Sequence, residues 1–184
     1  MIRAPRGYGG TRMLEEVELA LAPARSLYLA TAGAEPLGAL RRAFSRSVIT
    51  GIETMSRRSD AERLGLWRLL SGDGIDLPTA AELIVAHVAR GSAVGALLVD
   101  DLMEIDDPSL EAVAAALRRS SDLRCYVRFE GDDPLPASLE RFAIHQEVKL
   151  EALPRAATAE LLHSLSSGAL LPHATKRLAL RALY

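Results

Sequence analysis

Lysine is nearly missing from this chain of 184 residues. Lys149 and Lys176 are the only two, and arginine supplies the rest of the 22 basic side chains. Wherever the protein needs a cation, it has to use arginine. Cysteine is down to Cys125, which excludes a disulfide framework and a thiolate metal site. The histidines are His87, His145, His163 and His173, and no two stand at i, i+3 or i, i+4, so a helical zinc pair is excluded as well. Each reads as a surface or helix-packing residue. An excess of one charge is also lacking: 22 basic against 24 acidic side chains leave −2, which calls for neither nucleic acid nor an anionic membrane. Long apolar runs are absent, since "VGALLV" (94–99) is far too short to span a bilayer. Met1–Ile2–Arg3 leads straight into a glycine loop without a signal peptide. The expectation from these absences is a cytoplasmic protein with neither a membrane nor a direct nucleic-acid partner.

What is present is a large apolar fraction, 49%, enough for the core of one domain with a small appendage. The chain then alternates. Residues 11–22 predict a helix with Met13, Leu14, Val17 and Leu21 on one face. A strand is predicted over 26–32. Helices follow over 36–49, with Leu37, Leu40, Phe44 and Val48 inward, and over 60–70, with Leu64, Trp67 and Leu70 packed in the core. Pro78 opens a helix over 78–90. The continuous apolar run at 94–101 suits a strand buried on both faces. Asp107 caps a helix over 107–120, with Pro108 at its first position and Arg118 and Arg119 at its negative end.

The segment 123–130 alternates, with Leu123, Cys125, Val127 and Phe129 on one side and Arg124, Tyr126, Arg128 and Glu130 on the other. The two arginines suit a strand with one face partly open. A turn at 131–136, a short helix at 137–143 and a strand at 146–153 complete the layer. Helices over 154–166 and 171–184 form the appendage. The predicted architecture is α/β, a mostly parallel sheet flanked by helices, with a main domain at 1–153 and a helical lid fragment at 154–184.

Two stretches carry chemistry. "APRGYGGTRML" (4–14) is a glycine loop at a helix entrance, where unsatisfied N–H groups and the helix dipole suit an anion. Its plain alternative is a turn with no ligand. "ALLVDD" (96–101) is an apolar strand delivering Asp100 and Asp101 at its carboxyl end, the edge where parallel sheets bind ligands and where a carboxylate can hold Mg²⁺. Its plain alternative is an acidic loop start.

Together with "LLVDDLMEIDDPSLEAV" and "LEALPRAATAELL", these stretches resemble the AAA-like P-loop ATPases of the STAND type. Such domains are the nucleotide-binding modules of large LuxR-family regulators and of kinase-linked bacterial signalling proteins. Their loop has the form G-P-x-G-x-G-K-T, and their acidic strand is followed by D-x-x-S-L at a helix start. The resemblance implies a P-loop fold and ATP or ADP with Mg²⁺ as cofactor. It places Gly7, Gly9, Gly10 and Thr11 on the phosphate loop, with Thr11 as hydroxyl ligand to the metal. It makes Asp100 the metal-orienting acid and Asp101 the water-activating, catalytic acid. Arg155, Arg177 and Arg181 lie where the family's lid carries a nucleotide-sensing arginine.

Four departures set this chain apart. Ala4 replaces the first glycine of the loop, and Gly10 replaces its lysine. Only Met1–Ile2–Arg3 precedes the loop, where the fold expects a strand of about five residues. "CYVRFEGDD" lacks the family's T-Y-R-D-D turn. Arg12 is a poor substitute for the lysine, because two positions turn the side chain roughly 200° around the helix. Arg6, inside the loop, is the better-placed cation. The favoured reading is a degenerate STAND-like domain acting as a regulatory or signalling module beside a protein partner or neighbouring domains, with weak or absent ATP hydrolysis. The alternatives are a functional ATP-binding domain of a transcriptional regulator and a protein-interaction domain on the same scaffold without a ligand.

Overall fold

Three apolar segments that the sequence marks as strands come to lie side by side in the computed structural model of the chain. It describes residues 1–5, 7–21, 26–30, 35–50, 58–88, 95–130, 146–151, 154, 156–158 and 160. The elements are β1 (Ile2–Arg3), α1 (Gly10–Leu21), β2 (Ser26–Leu29), α2 (Gly38–Thr50), α3 (Asp60–Ser71), α4 (Leu77–Val88), β3 (Gly95–Val99), a 3₁₀ turn (Leu102–Glu104), α5 (Asp107–Arg119), β4 (Leu123–Phe129) and β5 (Val148–Lys149). The sheet order is β2-β3-β4-β1-β5, and every pairing is parallel. The chain divides into two compact units, Met1–Lys149 and Leu150–Tyr184. In the second, residues 156–158 are helical and the Thr158 N–H donates to the Pro154 carbonyl at 2.9 Å. The turn and helix expected over 131–143 and the helix expected over 171–184 lie outside the described residues, as does most of the one expected over 154–166.

Strand alternation sorts the side chains into two layers. Leu27 and Leu29 of β2, Leu97 and Val99 of β3, and Leu123, Val127 and Phe129 of β4 join one core with residues of α2, α3, α4 and α5. Phe44 and Leu40 of α2 and Ile84 of α4 are fully buried there. The intervening residues, Tyr28, Ala96, Leu98, Tyr126 and Arg128, take the opposite face, where α1 packs on β3 and β4 and brings down Leu14. β3 is buried at all five positions, as a strand covered on both sides must be. β1 is a two-residue stub, yet it is held on both edges: Ile2 lies opposite Arg128 and Val148, and Arg3 opposite Phe129 and Lys149. The alternation read for β4 holds, and Arg124 is exposed. Arg128, on the same face of the sheet's middle strand, is not: only 9% of it meets solvent.

Two helix faces differ from expectation. Trp67 is 67% exposed and Leu64 55% exposed, while α3 buries Gly65, Leu66 and Leu69. Leucines stand on both sides of this helix, so periodicity alone does not choose between them. Gly65 does. A Cβ there would lie 3.2 Å from Thr79 Cγ2 and 3.5 Å from Leu83 Cδ1, so its bare backbone lets α4 approach on that side. Trp67→Ala is therefore expected to change the unfolding free energy by under about 0.5 kcal/mol, against about 3–5 kcal/mol for a core tryptophan. Urea unfolding followed by circular dichroism checks this, since the substitution removes the chain's one indole fluorophore. Met13 is likewise 37% exposed rather than inward. His87 is a packed helix residue. Its Nδ1 lies 2.9 Å from Arg58 Nη2 and its Nε2 lies 3.0 Å from Ser47 Oγ.

The cap of α5 is Asp106, one residue before the expected Asp107. Its side chain accepts the Ser109 N–H at 2.9 Å, which puts Pro108 in the first turn. The same carboxylate accepts the N–H groups of Leu37 at 2.8 Å and Ala39 at 3.0 Å, so it also holds the start of α2.

Candidate functional site at the carboxyl edge of the sheet

The sheet order places a reversal at β1. The connection from β1 to β2 crosses β4 and β3 in one direction, and the later steps return in the other. Right-handed crossovers then send α1 to one face and α2 through α5 to the opposite one. The carboxyl end of the strand at such a reversal is where open parallel sheets form a ligand crevice. The glycine loop leaves β1 there, and Asp100 and Asp101 leave β3 two strands away.

The loop is shaped by its glycines. Gly7 and Gly9 both have φ of +83°, a left-handed conformation that other residues adopt at a cost. A Cβ on either would meet nothing within 4 Å, so glycine serves the backbone there and not the packing. The Tyr8 N–H donates to the Pro5 carbonyl at 3.1 Å and closes a turn. The Met13 N–H donates to the Gly9 carbonyl at 2.8 Å and starts α1, whose first N–H groups have no acceptor within the helix.

Gly10 is different in kind. A Cβ placed on it would lie 2.6 Å from Arg128 Cδ, 3.1 Å from Arg128 Cγ and 3.0 Å from Ala4 Cβ. The side chain of Arg128 runs directly across the position where any side chain of residue 10 would start. Strand register explains its arrival. Val99 pairs with Val127, so the next residue of each strand, Asp100 and Arg128, stand level and on the face that α1 covers.

The guanidinium is engaged on three sides. Nε donates to Asp100 Oδ1, Nη2 lies 3.1 Å from Asp101 Oδ2, and Nη1 lies 3.6 Å from Glu130 Oε2. Burial works to lower the pKa of Arg128. The hydrogen bond to Asp100 and the charges of Asp100, Asp101 and Glu130 outweigh that burial and raise it. Asp100 has further partners: Thr11 Oγ1 donates to Oδ1 at 3.3 Å, and the Tyr28 hydroxyl donates to Oδ2 at 3.0 Å. Burial first, then the charge and hydrogen bond of Asp100, push the Tyr28 phenol well above its ordinary range. Asp101 has φ of +56° and caps the 3₁₀ turn through its backbone, which leaves its carboxylate to Arg128.

The structure thus gathers Gly10, Thr11, Asp100 and Asp101 at one point, with Gly7 and Gly9 in the adjoining loop. Arg6, Arg155, Arg177 and Arg181 lie outside the described residues. Tyr28 and Arg128 belong to the same cluster, and the sequence reading left both out. The available signal for Arg128 was an arginine on the inward face of an alternating strand, just past the level of the acid pair.

Asp100 Oδ1 accepts from Thr11 and Arg128 and Oδ2 from Tyr28, and the side chain of Arg128 lies across the space that a Cβ of residue 10 would take. Among the described residues no group of three or more histidine, cysteine or acidic side chains is set to hold a metal. A groove of about 780 Å³ between α3 and α4, lined by Leu64, Arg68, Ile75, Leu83 and Arg119 among others, includes none of the candidate residues. No helix among the described residues is long and apolar enough to cross a membrane. In comparisons with known proteins, no family model matches the chain and no curated protein matches it.

Proposed function

We propose that the chain is a degenerate STAND-like, P-loop-type domain that acts as a regulatory or signalling module, with Mg²⁺–ATP binding weak or absent and no hydrolysis. Its partner is a protein or a neighbouring domain. The all-parallel order, the glycine loop at the reversal and the acid pair on the same edge support the scaffold part of this reading. One observation carries the rest. Arg128 crosses Gly10 and pairs with Asp100 and Asp101 from within the chain.

The magnitudes point the same way. A lysine-to-phosphate contact is charge-assisted and contributes about 1.5–3 kcal/mol, so its loss weakens binding by roughly 10- to 150-fold. A metal that takes Asp100 must also break a buried ion pair, whose orphaned partner is costly. The acids are still in place, but they are already satisfied. A ligand-free interaction domain on the same scaffold is a second reading, favoured by the outward Leu64 and Trp67 on α3.

Equilibrium binding of labelled ATP with and without Mg²⁺ tests the proposal. The expected result is no saturable binding in the micromolar range and no ATP turnover above buffer. Micromolar, Mg²⁺-dependent binding that disappears in Asp100→Ala would overturn it.

A further inference from the structure

We infer that Arg128 is a built-in counter-ion of the acidic strand end, and that residue 10 is glycine to admit it. On this view the two positions form one unit that makes the edge of the domain independent of a divalent cation. The inference rests on the reading above for the absence of Mg²⁺–ATP and deepens it by naming what replaced the cation.

The residues involved come from three separate elements and meet only in the fold. Arg128 lies on β4, level with Asp100 across the register and with Ile2 on the other side. It is 91% buried, under the first residue of α1. A buried arginine on a middle strand is tolerated only when its charge is met, and here three carboxylates surround it. Those carboxylates would repel one another without it, so the dependence is mutual. The helix start can close over this pair only if residue 10 has no Cβ, since such an atom would lie 2.6 Å from Arg128 Cδ and 3.0 Å from Ala4 Cβ. One of the departures from a phosphate-loop pattern, Gly10, therefore has a cause in the fold: it accommodates Arg128. The planar fork of arginine also suits the task better than a lysine, because it reaches separate carboxylates with separate N–H groups.

Thermal unfolding by circular dichroism tests this on the full chain, with wild type, Arg128→Ala, Arg128→Lys, Gly10→Ala and the double variant Gly10→Ala/Arg128→Ala, each with and without millimolar Mg²⁺. Wild-type Tm is expected to ignore Mg²⁺. Arg128→Ala is expected to lower Tm by roughly 5–10 °C, and Mg²⁺ to recover part of that, because the bared carboxylates then take up an external cation. Arg128→Lys keeps the charge and should fall less, with no response to Mg²⁺. If Arg128→Ala does not fold, Arg128→Met, which keeps much of the side chain's length without its charge, carries the metal comparison and the coupling to Gly10. Gly10→Ala should lower Tm in wild type and cost clearly less once Arg128 is alanine, with the contact to Ala4 Cβ remaining; independent sites lack such a coupling. Equal cost of Gly10→Ala in both backgrounds would overturn the inference. So would a wild-type Tm that rises with Mg²⁺ as much as that of Arg128→Ala. ATP binding by wild type would sink the functional reading while leaving the Gly10–Arg128 coupling intact, so the two failures are told apart.

Discussion

Asp106→Ala is expected to lower the unfolding free energy by about 3–5 kcal/mol, summed from one lost cap and orphaned donors at a second helix start. Its carboxylate does two jobs at once. Toward its own helix, Oδ1 accepts the Ser109 N–H at 2.9 Å and Oδ2 the Ser109 hydroxyl at 2.8 Å. Toward α2, Oδ1 accepts the Leu37 N–H at 2.8 Å and Oδ2 the Ala39 N–H at 3.0 Å. Ser109 extends the contact, since its hydroxyl oxygen accepts the Leu40 N–H at 3.1 Å and the residue is fully buried. Loss of an N-cap alone costs typically about 1 kcal/mol. The excess comes from α2, where each buried N–H left without an acceptor costs about 1–3 kcal/mol. Leu37 also sits at φ of +57°, an uncommon conformation for a leucine, and Asp106 holds the N–H of that residue.

Urea unfolding measures the loss. Asp106→Asn should fall between wild type and alanine, because the amide keeps one acceptor oxygen but turns the other into a donor facing N–H groups. Ser109→Ala should lose less than Asp106→Ala. A loss below about 1 kcal/mol in Asp106→Ala would mean that water replaces the carboxylate at α2, against the burial seen there.

The sequence displayed those interactions that stay within one element. The fully apolar run at 95–99 became the doubly covered β3, and the alternation at 123–129 became β4, because period alone fixes which face a strand residue takes. Contacts that depend on a second element were not displayed. The dipeptide Asp106–Asp107 offers two capping acids, and the choice of Asp106 comes from the N–H groups of α2, some seventy positions earlier. Trp67 pointed inward on periodicity and outward in fact, because Gly65 settled which side α4 could reach. A two-residue strand carries no periodic signal, so the placement of β1 between β4 and β5 was hidden. At the site, Asp100, Asp101 and Thr11 were read from pattern and do lie together. Arg128 was read as a side chain that wanted an open face. Its partners are 28 and 27 positions back along the chain, and only the register of β3 against β4 brings them level.

Gly10→Lys, which puts lysine where the phosphate-loop pattern carries one, is expected to destabilise the protein by about 3–5 kcal/mol and to confer no affinity for ATP. A gain is easy to anticipate, since glycine is a poor helix former and lysine a better one by up to about 1 kcal/mol. Geometry reverses the sign. The first carbon of the new side chain lands 2.6 Å from Arg128 Cδ and 3.0 Å from Ala4 Cβ, with α1 on one side and the sheet on the other. Overpacking of that kind costs about 1–3 kcal/mol. Relief requires Arg128 to move, and moving it breaks the pairs with Asp100 and Asp101. The incoming ammonium also competes with the guanidinium for the same carboxylate oxygens. Urea unfolding reads the stability, and labelled ATP with Mg²⁺ reads the affinity. Adding Arg128→Ala should recover part of the stability, because the lysine then has the carboxylates to itself and only the contact with Ala4 Cβ remains tight. Any return of Mg²⁺–ATP binding is expected in that double variant alone. Micromolar ATP binding by Gly10→Lys with Arg128 still in place would show that the guanidinium yields readily to phosphate, and that Gly10 is a lost lysine and nothing more.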